Sequence, residues 1–304
     1  MASFPALSPL ARQRLLFAIL CFVWGTTWLA MKLGISVVPP AFFSGVRWTV
    51  AGVVLLAWRH FHGEPVLLTP RLLPRVLLLA FLMISLTSTI QLYGVREMSS
   101  GLASVISAAL TPLGLLGFAV ALRQERPGWH QAAAIATGIL GILLLFGPGA
   151  ITGRLDTAEV LGAVAVAFST LLYCVGSVLA RPVMRALPPV QLAGLTNLLG
   201  GLALLVLSLP FEPGAWEAAG FAWGWAAWLG WLWLVLPGSL GASVIYFLLV
   251  RDWGASRAGT YAFISPVIAV VLGVVLLGEK IDALQAVGMG LMLCGAGMAL
   301  RRTA

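Results

Sequence analysis

The sequence predicts an all-α membrane protein of ten transmembrane helices, built as two inverted five-helix repeats with both termini cytoplasmic. Three observations predict it. Hydrophobic residues make up 61% of the 304-residue chain and charged residues 9%, with a mean hydropathy of +1.02; no water-soluble core hides that much apolar surface. The charges cluster between apolar stretches of 18 to 25 residues, each long enough to cross a hydrocarbon core as a helix. One spaced motif also occurs twice, 154 residues apart: Pro112, Glu125-Arg126, Gln131 and Gly141 are echoed by Pro266, Glu279-Lys280, Gln285 and Gly295. A repeat of this length inside a membrane chain points to duplicated halves.

The expected spans run over 15–33, 41–58, 74–93, 100–122, 129–147, 158–179, 190–210, 226–250, 258–277 and 283–300. Span 1 is too long for a signal-peptide core and no small-residue cleavage site follows it, so it is expected to stay attached. Pro39-Pro40 before span 2 matches Pro188-Pro189 before span 7, and Tyr93 near the end of span 3 matches Tyr246 in span 8. Spans 4 and 9 carry the paired prolines Pro112 and Pro266, each removing a helical hydrogen bond; they read as hinges or as static kinks. Pro237-Gly238 breaks span 8 in the same way. Glu125 and Glu279 fall in the loops before spans 5 and 10 and are expected to cap the helix that follows. Trp216, Trp223, Trp225 and Trp228 read as an aromatic belt at the outer interface. Connections are short, leaving no soluble domain. Five spans per half make the second half enter from the opposite side, so residues 1–150 and 151–304 are expected to be inverted copies.

The net charge of +8 encodes orientation. Arg12, Arg14, Arg59, Arg71, Arg75, Arg123, Arg126, Arg181, Arg185, Arg251, Arg257, Arg301 and Arg302 fall on the side of the N-terminus; Lys32, Arg96, Arg154 and Lys280 fall on the other. That bias places the termini in the cytoplasm and argues against a nucleic-acid partner; lipid is the partner it implies. Cys21, Cys174 and Cys294 stand in three different spans without a CxxC or a nearby histidine, so neither a disulfide nor a metal site is expected.

The candidate site lies in the polar and aromatic residues of the spans. Arg47 is the one charge unambiguously within a span rather than at its end, readable as an anion contact or as an arginine snorkelling outward or tied to helix carbonyls or Glu97. In span 4, Ser100, Ser104, Ser107 and Thr111 share one helical face, and the repeat offset carries Ser107 onto Tyr261 and Thr111 onto Ser265. Ser88 and Gln91 in span 3, Tyr173 in span 6, and Ser243 and Tyr246 in span 8 extend the set. Trp24, Thr27 and Trp28 share a face of span 1. Such groups serve helix packing; as matched stripes on symmetry-related spans they equally form a central cavity suited to solutes with an apolar or aromatic body. No carboxylate or histidine lies deep in a span, which favours facilitated transport or exchange over a buried proton relay.

Trp24-Gly25-Thr26-Thr27-Trp28, Pro40 with Arg47, and the two loops from proline to glutamate, taken in order, resemble the five-helix repeat of the drug/metabolite transporter superfamily, in its EamA type, over essentially the whole chain. The second half departs from that pattern: Leu172-Tyr173 stands where Trp-Gly would be, and no arginine matches Arg47. The resemblance implies a secondary transporter of small metabolites or drugs, usually exporting across a bacterial inner membrane by alternating access. Its length and aromatic content look most like exporters of amino acids, including the aromatic ones. The neighbouring readings are an organic-cation or drug exporter and a nucleotide-sugar or sugar-phosphate antiporter; the latter calls for several intramembrane cations where only Arg47 is present. A channel is the reading from another class. With no HExxH, GxSxG or phosphate-binding loop, neither an enzyme, nor an ATP-driven pump, nor a cofactor is expected. The expected assembly is a monomer or weak homodimer.

Overall fold

The computed structural model describes residues 8–300 except 67, 98–99, 127, 152–156 and 278–282; the side chains of some further helical residues, Ser104 among them, are also outside the description. All ten stretches expected to span are helical: α1 Pro9–Ile35, α2 Pro40–Phe61, α3 Leu73–Glu97, α4 Ser100–Ala121, α5 Trp129–Ile151, α6 Thr157–Val183, α7 Pro189–Phe211, α8 Trp225–Trp253, α9 Tyr261–Leu277 and α10 Ala283–Leu300. Six of them, α1, α2, α3, α6, α7 and α8, are long and apolar enough to cross a membrane. Shorter apolar stretches occupy α4, α5 and α10.

Local chemistry sets the helix starts. Ser8 caps α1, its hydroxyl accepting from the Ala11 amide at 3.2 Å. Proline at the first turn opens α1, α2 and α7, where a missing N–H costs nothing. Pro188 and Pro39 stand equivalently before α7 and α2, as their spacing predicts.

Two helices are not regular. In α3, Ala80–Leu86 is π-helical, and in α8 Leu234–Ala242 is π-helical; the two begin 154 residues apart. The break expected at Pro237-Gly238 is thus one of a pair, and its counterpart in α3 contains no proline. A π turn leaves a carbonyl without its α-helical donor, and side chains take up such groups here: the Thr87 hydroxyl donates to Leu82 O at 2.7 Å, and Ser243 donates to Ser239 O.

Packing follows small residues. A Cβ on Gly52 would come within 2.3 Å of the Leu198 main chain, and one on Gly201 within 2.4 Å of the Thr49 amide, so α2 and α7 touch along their backbones. Contacts at Gly45 to Leu205, Gly52 to Leu198 and Gly194 to Leu56 make the pair antiparallel. Gly141 against Gly288 and Met292, and Gly295 against Ala134, join α5 to α10 in the same antiparallel manner. Among the remaining contacts, α3 and α4 pack on α6, while α8 and α9 pack on α1. Small residues allow this close approach where lipid offers no hydrophobic drive for helices to associate.

Two expectations change. Trp216 and Trp225 are exposed, but Trp223 is buried, its ring stacked on Trp228 at 4.7 Å and near Phe42 and Phe43 at 6.3 and 5.9 Å. The left-handed residues Phe221 (φ 57°) and Gly224 (φ 79°) turn the chain and aim Trp223 inward. Among the described residues no main-chain amide of the following helix donates to Glu125: it accepts from the amide and hydroxyl of Ser256, on the short turn between α8 and α9, and from the Gln131 side chain. Glu279 and Lys280 lie outside the described residues.

Candidate functional site

Eight helices, α1 to α4 and α6 to α9, enclose a cavity of about 190 Å³ in the middle of the bundle. α5 and α10 pack on each other outside it and contribute no lining residue. Of the residues singled out in the sequence, Trp24, Thr27, Trp28, Arg47, Ser88, Gln91, Ser107, Thr111, Tyr173, Gly238, Ser243, Tyr246, Tyr261, Ser265 and Pro266 line this one space. Pro112 lies within α4 away from the lining, and the side chain of Ser104 is outside the description. Tyr93 is not among the lining residues; its hydroxyl donates to Glu212 at 2.8 Å.

One end of the cavity is aromatic. Trp24 meets Tyr261 edge to face at 4.5 Å between ring centroids, Tyr246 at 5.1 Å and Tyr173 at 6.4 Å. Tyr173 and Tyr246 are 5.6 Å apart, and Tyr246 is further pinned by Ser177, oxygen to oxygen 2.7 Å. Each such ring pair adds roughly 0.5–1.5 kcal/mol beyond its burial. Beyond the rings, toward the start of α1, Leu20, Cys21, Leu115, Cys174, Val178 and Val250 form a packed apolar layer. The rings are therefore a floor, closed on the side of the N-terminus.

The hydroxyls around the cavity mostly donate to helix carbonyls: Thr27 to Trp24 O at 2.8 Å, Thr111 to Ser107 O at 2.7 Å, Ser265 to Cys21 O at 3.2 Å. Their hydrogens are committed, and what they keep is acceptor capacity. Ser88 accepts from the Trp48 indole at 2.9 Å. Ser265 also marks where α1 and α9 touch, since a Cβ on Gly25 would come within 2.8 Å of its carbonyl.

Four buried polar groups on the described lining lack a hydrogen-bond partner: Arg47 Nε, the Tyr173 hydroxyl, Asn197 Oδ1 and Ser239 Oγ. Arg47 is 9% exposed, and its guanidinium rests 4.0 Å from the Trp48 ring centroid. Burial excludes the snorkelling arrangement, and among the described residues Arg47 has no ion pair with Glu97 or any other carboxylate. Unpartnered buried polar groups are costly in protein and in lipid alike. They converge on one space, which therefore presents a cation, neutral acceptors and an aromatic floor.

Sequence reasoning missed Asn197 and Trp48, while Ser239 belongs with Ser243 and Tyr246 to the polar set of span 8. Asn197 had a signal, an amide in the middle of the apolar run of α7; its Nδ2 donates to Ser239 O at 3.4 Å, the carbonyl in the α8 π turn. The described residues hold no group of three or more metal-ligating side chains.

Comparison with known proteins completes the description. The profile of the EamA-like transporter family matches residues 13–147 and 160–301, one copy in each half. The inner membrane transporter YedA of Escherichia coli K12 is 28% identical over 280 residues, covering 91% of this chain and 87% of that protein. The transporter YoaV of Bacillus subtilis is 25% identical over 282 residues, covering 91% and 92%. A solved crystal structure superposes with a TM-score of 0.76 at 22% identity, over 95% of this chain and 97% of its own, a likeness of fold.

Proposed function

The chain belongs to the EamA-like transporter family, and from that premise we propose that it carries amino acids, including aromatic ones, outward across a bacterial inner membrane by alternating access. It is a membrane transporter of multi-pass helical architecture. In this reading all ten helices cross the bilayer, residues 1–150 and 151–304 are inverted repeats, both termini face the cytoplasm, and the working unit is a monomer or weak homodimer without enzymatic activity. The antiparallel crossings of α2 with α7 and α5 with α10 support the inverted repeat, because equivalent helices of two oppositely inserted copies must run antiparallel. The relative named as an inner membrane transporter supports the location.

The observation that carries the substrate class is the aromatic floor beneath a buried cation. Trp24, Tyr173, Tyr246 and Tyr261 offer ring faces to an apolar or aromatic side chain, and Arg47 offers a partner for a carboxylate. Trp28, Thr27, Ser88, Gln91, Ser107, Ser243 and Ser265 complete the wall. Pro112 and Pro266 serve as hinges, and the cavity, closed toward the start of α1, corresponds to an outward-facing state. One cation provides poorly for nucleotide sugars or sugar phosphates. Counterflow in proteoliposomes with labelled amino acids, organic cations and nucleotide sugars tests the reading: exchange of aromatic amino acids is expected, and exchange confined to another class overturns it.

A further inference from the structure

Arg47 is the single charged residue on the described cavity wall, and the rest of the lining is neutral or apolar. The lining includes no aspartate, glutamate, lysine or histidine. A substrate with both a carboxylate and an ammonium group therefore meets the cavity asymmetrically. Its carboxylate finds a full opposite charge, already stripped of water and without an ion pair among the described residues. Its ammonium finds only neutral acceptors such as Asn197 Oδ1 and Ser239 Oγ. Charge-assisted bonds are about twice as strong as neutral ones, and a lone buried guanidinium repels a second positive charge across a low-dielectric space.

We infer that the carboxylate is the obligatory recognition element of this site and the ammonium is dispensable, so that the cavity takes aromatic monocarboxylates lacking an amino group and rejects the matching amines. The inference rests on the proposed reading of the cavity as the substrate site and sharpens it. Arg47 acts here as the anchor, with the ring of Trp48 4.0 Å away holding the guanidinium on the wall rather than letting it leave for the interface. The aromatic floor, reached from Arg47 across the same space, holds the planar body. Neutral acceptors accommodate an ammonium without making it necessary. Organic cations are excluded by the same charge, which separates this chain from a cation exporter built on ring faces alone.

Three compounds with the same phenylethyl body test it: phenylalanine, 3-phenylpropionate, which lacks the amino group, and 2-phenylethylamine, which lacks the carboxylate. Binding is read by calorimetry on the full-length protein in nanodiscs, and exchange by counterflow in proteoliposomes. The expected result is that 3-phenylpropionate binds within about tenfold of phenylalanine while 2-phenylethylamine binds at least roughly a hundredfold more weakly. Arg47→Gln should weaken 3-phenylpropionate by about ten- to a hundredfold and abolish the discrimination against the amine. Arg47→Lys, keeping the charge, should restore part of the affinity. The wild-type comparison stands even if the Arg47→Gln protein fails to fold. Equal binding of phenylalanine and 2-phenylethylamine, or an Arg47→Gln protein that binds 3-phenylpropionate as well as wild type, overturns the inference while leaving amino-acid transport intact. Binding of 3-phenylpropionate without binding or exchange of phenylalanine keeps the inference and overturns the amino-acid reading. Failure of all three compounds to bind overturns both.

Discussion

Glu212, at the end of α7, accepts hydrogen bonds from the main-chain amides of Ala41 and Phe42 at 2.9 and 2.8 Å, so the first turn of α2 is capped by a carboxylate 171 residues away. Pro40 opens α2 and has no amide of its own, which leaves Ala41 and Phe42 as the next donors without an intrahelical partner. Ser208 and Tyr93 fill the remaining acceptor sites of Glu212 at 2.6 and 2.8 Å. One buried carboxylate thus ties α2, α3 and α7 together, with its negative charge at the positive end of α2.

Glu212→Ala should accordingly lower stability by about 2–4 kcal/mol, since it strips two buried amides and two hydroxyls of a charged partner. Glu212→Gln should recover part of that, keeping acceptor capacity without the charge. Thermal unfolding of the purified protein in detergent checks the order wild type, Gln, Ala; an Ala variant melting with wild type would show that water replaces the cap.

The α2–α7 and α5–α10 crossings should be intolerant of any side chain at their contact points. Gly52→Val and Gly141→Val place atoms where main chain already stands, at 2.3 Å from Leu198 and 2.6 Å from Gly288, and each should cost about 3 kcal/mol or more. Gly117→Ala is the control, because its Cβ would meet nothing within 4 Å and alanine favours the helix. Yield of monodisperse protein separates the two cases: the valines should reduce it sharply and Gly117→Ala should leave it unchanged or raised.

Much of this architecture was legible because hydropathy and charge act through composition, and a bilayer leaves the backbone few choices other than helix. The ten helical stretches follow from hydropathy, and the aromatic lining from Trp24, Tyr173 and Tyr261 standing in otherwise apolar spans. What sequence could not supply are features that depend on a distant partner. Trp223 looked interfacial by position and is buried because a left-handed turn redirects it. Glu212 stands just past the last residue of α7 and caps a helix from the other half of the chain. The π turn in α3 has no proline or glycine within it to announce it; only its counterpart in α8 does.

The two π turns should open more readily than the helices around them. Their hydrogen bonds are longer-range and less well aligned than α-helical ones, and their loose carbonyls depend on Thr87, Ser243 and Asn197. Hydrogen–deuterium exchange in nanodiscs should show faster exchange over Ala80–Leu86 and Leu234–Ala242 than over the adjoining turns of α3 and α8, by about tenfold. Thr87→Val, which keeps the shape and removes the donor, should accelerate exchange in the α3 turn alone. Uniform protection along both helices would mean that the turns are as rigid as their neighbours.

The aromatic floor makes the sharpest separation between packing and binding. Trp24 contacts Tyr173, Tyr246 and Tyr261, so Trp24→Ala removes three ring pairs and leaves a void, and should destabilise the protein by about 3–5 kcal/mol. Trp24→Phe keeps a ring against the tyrosines and should cost only about 1 kcal/mol. If the floor also receives the substrate side chain, Trp24→Phe should raise KM for aromatic substrates several-fold more than for small aliphatic ones, because only the former use the lost ring area. A merely structural tryptophan would instead shift melting temperature and leave the ratio of the two KM values unchanged. Uptake kinetics for phenylalanine and alanine, measured on the same proteoliposomes as the melting curve, distinguish the two outcomes.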